Sequence, residues 1–300
     1  MPAVDIIIPT RDRPDLTARA VQSVINQTFT DWRLFVVDDG SSPENLASLE
    51  QLVCVDDRVQ VVSHSLAGGG PAARQTGLNA GSADWVAILD SDDKWLPEKL
   101  ESQLGMTDGA DIVLCWFSWV GRDGNVRVTR RLDGAGFVSP TLTNNNDIPL
   151  IRRSTLLAAG GFIGDASTPR RFDDNTDFFI RLLAAGRVAV VPQVLVLCSD
   201  HDGARESDGV SKEAESLRDV VLARGEQLAP WPDTRSELYA RISARYFARH
   251  QFGPAFKWLA RAVSVGSLRQ RLRSARRVGP YGAKMMWFAA SKRIRRNSNA

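Results

Sequence analysis

Residues 90–93 read Asp-Ser-Asp-Asp and follow directly on the apolar run 85–89, WVAIL. Carboxylates this close repel one another and are costly to desolvate, so the chain must compensate them. Hard divalent cations take oxygen ligands, and Mg2+ binds one or two carboxylates together with substrate phosphates. Alternate residues of an extended chain face the same way. Asp90 and Asp92 therefore offer two carboxylates on one side, with Asp93 opposite or capping the next turn. The competing reading is an acidic surface turn, because Asp is favoured in turns. A second acidic turn, Asp38-Asp39-Gly40-Ser41-Ser42, follows the apolar residues 34–37. A carboxylate there could accept the imide N–H of a pyrimidine or a ribose hydroxyl, and Gly40 lets the backbone turn close to a ligand; a plain turn is the alternative. Arg74, just after GGGP at 68–71, could offer a phosphate its planar fork, or stand as a solvated helix arginine.

These residues need elements to hold them. Residues 4–8 (VDIII), 34–37 (LFVV), 59–63 and 85–89 are short apolar runs that suit strands buried on both faces. Helical spacing of Leu16, Ala20, Val21, Val24 and Ile25 follows Asp12, a candidate cap, and Pro14, a first-turn residue. Shorter helices are predicted over 45–52 and 72–80. Alternating strand and helix implies a parallel sheet covered by helices, whose ligands bind beyond the carboxyl ends of the strands. Residues 9–12, 38–41 and 90–93 all follow strand ends, so they should share one rim. Beyond Pro97 the pattern predicts a strand at 112–120, a hairpin turn at 121–125 with return at 126–129, a helix at 177–185 and one or two strands over 188–197. From about Ser211 the chain reads as helical, with a hairpin of helices around HQFG at 250–253.

The 300 residues are 43% hydrophobic and 24% charged, an ordinary soluble composition. Cys54, Cys115 and Cys198 form no CxxC pair and sit in apolar contexts, so buried reduced thiols are expected rather than zinc or disulfides. No signal peptide is predicted, and the longest apolar runs, 112–120 and 188–198, fall short of the roughly 20 residues that span a bilayer. Residues 1–237 hold 35 acids against 23 bases, whereas residues 238–300 hold 15 bases and no acid.

The segments IIIPTRDRPDLTARAVQSVINQTFTDWRLFVVDDGSS and AARQTGLNAGSADWVAILDSDDKWLPEKL together resemble the nucleotide-sugar-binding half of family 2 glycosyltransferases, inverting enzymes of the GT-A fold. The resemblance is close over 4–105 and looser to about 200. It implies an α/β fold, a Rossmann-like, mostly parallel sheet with flanking helices plus a C-terminal helical extension. The implied divisions are a donor-binding half at 1–105, an acceptor-binding half at 106–210 and a basic extension at 211–300. It further implies that the backbone of Pro9 and Thr10 lines the base pocket, with Arg11 where many relatives carry a stacking aromatic residue. Asp39 would bind the base, Asp38 support the turn, Arg74 approach the diphosphate, and Ser91 lie among the donor contacts. Asp90 and Asp92 would match the family's D-x-D and hold Mn2+ or Mg2+. RRSTLLAAGGF at 152–162 and RRFDDNTDFFIRLLAAG at 170–186 look like the family segments that lead to the catalytic carboxylate. One register sets Asp174 and Asn175 at the acidic pair, the other Asp173 and Asp174. An amide is no base near neutral pH, so the choice falls on Asp174, with Asp173 and Asp177 in reserve.

The implied reaction is a single inverting displacement from a nucleoside-diphosphate sugar, a UDP-sugar favoured, onto a glycan or lipid-linked acceptor for surface polysaccharide. The alternatives are a silent nucleotide-sugar-binding subunit and, on a related fold, a nucleotidyl transferase. No nucleic-acid motif is present. The basic, Leu- and Trp-containing C-terminus could lie on an anionic membrane surface or remain a solvated tail, which makes the expected location cytoplasmic, peripheral on the inner face of the membrane.

Overall fold

The computed structural model describes residues 2–121, 123–132, 147–162, 174–199 and 213–277. These residues fall into two units: one holds the sheet, and the other holds residues 174–180 and 213–277.

The sheet begins with four parallel strands: β1 (Val4–Thr10), β2 (Trp32–Asp38), β3 (Val59–Ser63) and β4 (Trp85–Ile88). They lie in the order β3-β2-β1-β4. Their connections are α1 (Pro14–Ile25), α2 (Pro43–Glu50) with a 3-10 turn at Gln51–Cys54, and α3 (Gly70–Ala80). β1 and β4 are apolar almost throughout because helices cover both faces, as the runs of Ile and Val predict. α3 lies hard on β1: a Cβ on Gly77 would come within 2.5 Å of the Ile7 side chain. One turn earlier on the same helix, Arg74 is carried towards the carboxyl ends of the strands.

After β5 (Lys94–Trp95) and α4 (Lys99–Leu104) come β6 (Ile112–Val120), β7 (Val126–Arg130), β8 (Leu150–Arg152), α5 (Arg153–Ala158), α6 (Asp174–Ala185) and β9 (Val188–Ser199). The sheet continues β4-β8-β6-β9-β5, with β7 paired to β6 as a hairpin. β8 is antiparallel to both β4 and β6, so the parallel half passes into a mixed one. The predicted strands at 188–197 are one, β9, whose register against β6 shifts near Cys115 and Trp116; Pro192 lacks a ladder N–H, and such residues sit at irregularities of this kind.

The helical unit contains α7 (Glu213–Ala223), α8 (Pro232–Ala248), α9 (Phe252–Ser264) and α10 (Leu268–Arg277). It has its own core of Ile180, Leu217, Val220, Leu228, Leu238, Ile242 and Trp258. The expected helical hairpin is α8 and α9. The expectation for the cysteines is corrected at one of the three: Cys115 and Cys198 are buried, but Cys54 is exposed at the end of its 3-10 turn.

One buried charge ties the sheet together at the edge opposite the strand ends. Asp5 is fully buried in β1, and its Oδ2 accepts from Ala83 N at 2.7 Å and from Arg153 Nη2 at 2.6 Å. The same guanidinium donates to the carbonyls of Ala83 and Leu78 at 2.6 and 2.7 Å. Arg153→Met leaves that carboxylate buried without its main partner, so urea unfolding should show a loss of about 3–5 kcal/mol, the usual cost of breaking one side of a buried pair.

Candidate active site

The carboxyl ends of β2, β1 and β4 lie side by side, so the loops at 9–13, 38–42 and 89–93 share one rim. Pro9 and Thr10 end β1. The Thr10 carbonyl accepts the Asp39 N–H at 2.9 Å, and its hydroxyl pairs with Thr17 Oγ1 at 2.7 Å. Arg11 is exposed, 3.8 Å from Asp12. Asp12 was expected to cap α1 and does not. It takes a left-handed backbone, φ 53°, and its carboxylate turns to the β2–α2 loop, accepting from Ser42 N at 2.8 Å and Asn45 Nδ2 at 3.0 Å. Those bonds hold Asp12 below the usual carboxylate range.

The two acids after β2 face different neighbours. Asp38 is fully buried and accepts from the Ser41 hydroxyl and, at 3.2 Å, from Ser41 N, closing the turn. Asp39 reaches across to the loop before α3: Oδ1 accepts from Gly68 N at 2.7 Å and meets His64 Nδ1 at 2.9 Å, and Oδ2 accepts from Gly69 N at 2.8 Å. His64 follows β3, and its Nε2 lies 2.8 Å from Thr76 Oγ1 on α3.

On the third loop, Asp90 and Asp92 each face an arginine. Arg74 Nη2 is 2.8 Å from Asp90 Oδ1, and Arg13 Nη1 is 3.3 Å from Asp92 Oδ2. Ser91 between them is buried. Thus Arg74, Asp90 and Asp92, named from the sequence, stand together, joined by Arg13, which the sequence reading passed over. Carboxylate oxygens are the donors a hard divalent cation takes, so Asp90 and Asp92 are of the chemical type that Mn2+ or Mg2+ would use.

Asp93 turns inwards instead. Its Oδ1 accepts Ser199 N at 2.8 Å, and its carboxyl is hydrogen-bonded to that of Asp147. Asp147 in turn accepts the Asp90 N–H. Burial, reinforced by the charges of Asp92 and Asp90, pushes Asp93 up to about 7. Burial and the charges of Asp90 and Asp93 raise Asp147 well above the carboxylate range, so Asp147 keeps the proton and donates it to Asp93. With Cys198 these two form the one group among the described residues whose ligand atoms cluster as a metal site would. A thiol is a soft ligand ill suited to Mg2+, and three buried groups leave no opening for substrate phosphates. The trio reads as the underside of the 90–93 turn. Asp147 lies 54 residues beyond Asp93 with no local pattern to join them, so only the folded chain reveals the pair.

Next to it, Lys99 is fully buried. Nζ donates to Gln103 Oε1 at 2.8 Å and lies 3.9 Å from the Trp95 ring centre. Gln103 Nε2 donates to the carbonyls of Val113 and Ile148, both at 2.7 Å, which fastens α4 to β6 and to the segment carrying Asp147.

For the acceptor side, Asp174 is the first residue of α6, and Asp173 lies outside the described residues. Asp177 is buried against Arg224, with Nε 2.7 Å from Oδ1, so this reserve candidate is committed to an ion pair. Of the polar stretch 143–147, only Asp147 is among the described residues.

Comparison with known proteins gives the family and the fold. The model of the family described as "Glycosyl transferase family 2" matches residues 5–175. The chain belongs to that family. It is 37% identical over 103 residues to TuaG of Bacillus subtilis, a glycosyltransferase assigned to teichuronic acid biosynthesis; the match spans 34% of this chain and 41% of TuaG. It is 36% identical over 103 residues to the Escherichia coli UDP-Glc:alpha-D-GlcNAc-diphosphoundecaprenol beta-1,3-glucosyltransferase WfgD, spanning 34% of this chain and 40% of WfgD. The match therefore covers about two fifths of the length of these relatives. Among solved structures, Staphylococcus aureus TarS 1–349 in complex with UDP-GlcNAc superposes with a TM-score of 0.66 at 14% identity, covering 96% of this chain and 92% of that one. The mannosyltransferase PcManGT of Pyrobaculum calidifontis, in complex with GDP-Man and Mn2+, superposes at 0.62 and 17%, covering 95% and 83%. The fold is GT-A.

The Lys99 network generates a pH test. Burial lowers Lys99 from 10.5 to about 8, so between those values the unfolded chain binds the proton that the folded chain has released. Stability then rises with pH across that window. Wild type should gain stability relative to Lys99→Met from pH 8 to pH 10 in urea titrations, while below pH 7 the difference between them stays constant.

Proposed function

We propose that the protein is a metal-dependent, inverting glycosyltransferase. It would move a sugar from a nucleoside-diphosphate sugar, a UDP-sugar favoured, to a hydroxyl of a glycan or lipid-linked acceptor in surface polysaccharide synthesis at the cytoplasmic membrane face. The observation that carries this reading is the Arg13, Arg74, Asp90 and Asp92 cluster beside the Thr10–Asp39 rim in a family 2 chain.

The charge pattern supports it. The two arginines and two carboxylates already balance, and a diphosphate with a divalent cation is also balanced. A donor can therefore enter by exchange: the guanidiniums turn to phosphate oxygens, which their planar forks suit, and Asp90 and Asp92 turn to the cation. Pro9, Thr10 and Arg11 would border the base, Asp39 would accept from it, Asp38 would keep the turn closed, and Ser91 would lie beneath the diphosphate. When bound, Mn2+ or Mg2+ supplies Lewis-acid stabilisation of the departing nucleoside diphosphate. Asp174, with Asp173 as the neighbouring candidate, would take the acceptor hydroxyl's proton as that oxygen attacks the anomeric carbon. The extension at 211–300 would complete a donor half at 1–105 and an acceptor half at 106–210.

Nucleoside diphosphate release from a panel of nucleotide sugars with Mn2+ tests this. One donor should be turned over, and Asp92→Ala or Asp174→Asn should each lower kcat by about a hundredfold or more, the lower bound for losing a charge-stabilising or general-base group. Donor binding without release in the presence of acceptor would favour a silent binding subunit instead.

The membrane side rests on α10. No described helix is long and apolar enough to cross a membrane. Leu268 and Leu272, 71% and 38% exposed, share the outer surface of α10 with exposed Arg269, Arg273 and Arg276. Such a face suits an anionic lipid surface, where each base contributes about 1 kcal/mol. The full chain should co-sediment with phosphatidylserine-containing vesicles at low salt, and Arg269→Glu/Arg273→Glu should release it.

A further inference from the structure

His64 has no part in the family resemblance, yet it stands at the β3 end of the rim, against Asp39. Its backbone N–H donates to the Asp38 carbonyl at 2.8 Å, which fixes the ring beside the β2 end. A carboxylate only accepts, so the imidazole proton sits on Nδ1, facing Asp39 Oδ1 at 2.9 Å. Nε2 pairs with the Thr76 hydroxyl at 2.8 Å. Three elements are joined through one ring: the end of β2, the end of β3 and the second turn of α3.

The consequence lies in how many bonds Asp39 has left. A carboxylate offers about four lone-pair positions. Two on Oδ1 are taken by Gly68 N and His64, and one on Oδ2 by Gly69 N. Asp39 is 6% exposed. A single acceptor position remains, on Oδ2, for whatever enters the rim. Both amides come from adjacent residues of the loop before α3, and Gly69 takes a left-handed backbone, φ 87°, in presenting its own.

We propose that His64 is a positioning residue that, by occupying Asp39 Oδ1, restricts the base pocket to a nucleobase with one in-plane N–H donor, the uracil pattern, against guanine, whose adjacent N–H and amino group need both oxygens. This rests on the nucleotide-sugar reading above and adds to it the residue that sets base choice. Without the Nδ1 donor, Oδ1 gains a free position and the carboxylate can rotate, so discrimination falls along with affinity.

Calorimetric titration of UDP and GDP with Mn2+ into the full chain, His64→Leu, His64→Asn and Thr76→Val tests it. Wild type should prefer UDP. His64→Leu should weaken UDP by about tenfold, the loss of one hydrogen bond to a charged group, and shrink the UDP-to-GDP ratio. His64→Asn, whose amide nitrogen can stand where Nδ1 stands, should hold UDP within about threefold of wild type on the same reckoning. Thr76→Val, which frees the ring without removing it, should shrink the ratio by a smaller factor. Equal weakening of UDP and GDP in His64→Leu, with the ratio kept, would mean a merely structural role and overturn the proposal. So would a wild type that binds GDP as tightly as UDP, though nucleotide binding would stand. A wild type that binds neither would remove the nucleotide-sugar reading itself.

Discussion

Four carboxylates meet around one turn, and the structure at the rim is the solution to their repulsion. Asp90 and Asp92 stay at the surface and are matched by Arg74 and Arg13. Asp93 and Asp147 are buried and hydrogen-bonded to each other through a proton, so the inner pair carries at most one charge rather than two. Separating the acids into an outer, ion-paired set and an inner, protonated set lets the turn keep its acidic density. The outer pair is half-buried, 31% and 21% exposed, and its counter-ions are long side chains that can swing to other partners. The inner pair is fixed, because it also accepts the Asp90 and Ser199 amides that shape the turn and anchor it to β9.

That division works only on a stiff base. Parallel strands bring three loops to one edge, and α3 sits against β1 closely enough that Gly77 has no space for a side chain. Below, the Arg153–Asp5 pair fastens β1 to the chain entering β4, and Lys99 with Gln103 fastens α4 to β6. Each is a buried polar group bonded across elements, which limits the alternatives the backbone can adopt. The rim loops rest on these ties, so rearrangement of arginine side chains need not disturb the strands.

The family match at residues 5–175 covers the sheet up to the start of α6, and the helical unit lies almost entirely beyond it. That unit has its own apolar core, and from α8 onward the chain gathers bases while carrying no acid after Glu237. On α10 the exposed Leu268 and Leu272 sit among arginines, a pattern with little use in water, where apolar side chains gain nothing from exposure.

Local sequence determined the four parallel strands and the helices between them in the first ninety residues, because continuous Ile/Val runs and 3.6-residue spacing are short-range signals. It also determined that the acids follow strand ends, and hence that Asp39, Arg74, Asp90 and Asp92 belong to one edge of a parallel sheet. Their partners were not legible. Arg13 was one of two arginines in PTRDRP, His64 an isolated histidine after a strand, and Asp147 the end of a polar stretch; each acquires meaning only from what lies opposite it. Asp12 shows the same limit in reverse: its type suggests a helix cap, but the left-handed backbone turns it towards Ser42 and Asn45. Hydrogen bonds and ion pairs between residues tens of positions apart depend on angstrom-scale placement by the whole fold, and periodicity along the chain holds no record of it. Sequence chose the edge where the chemistry gathers; tertiary structure chose which acids stay charged there and which donors hold them.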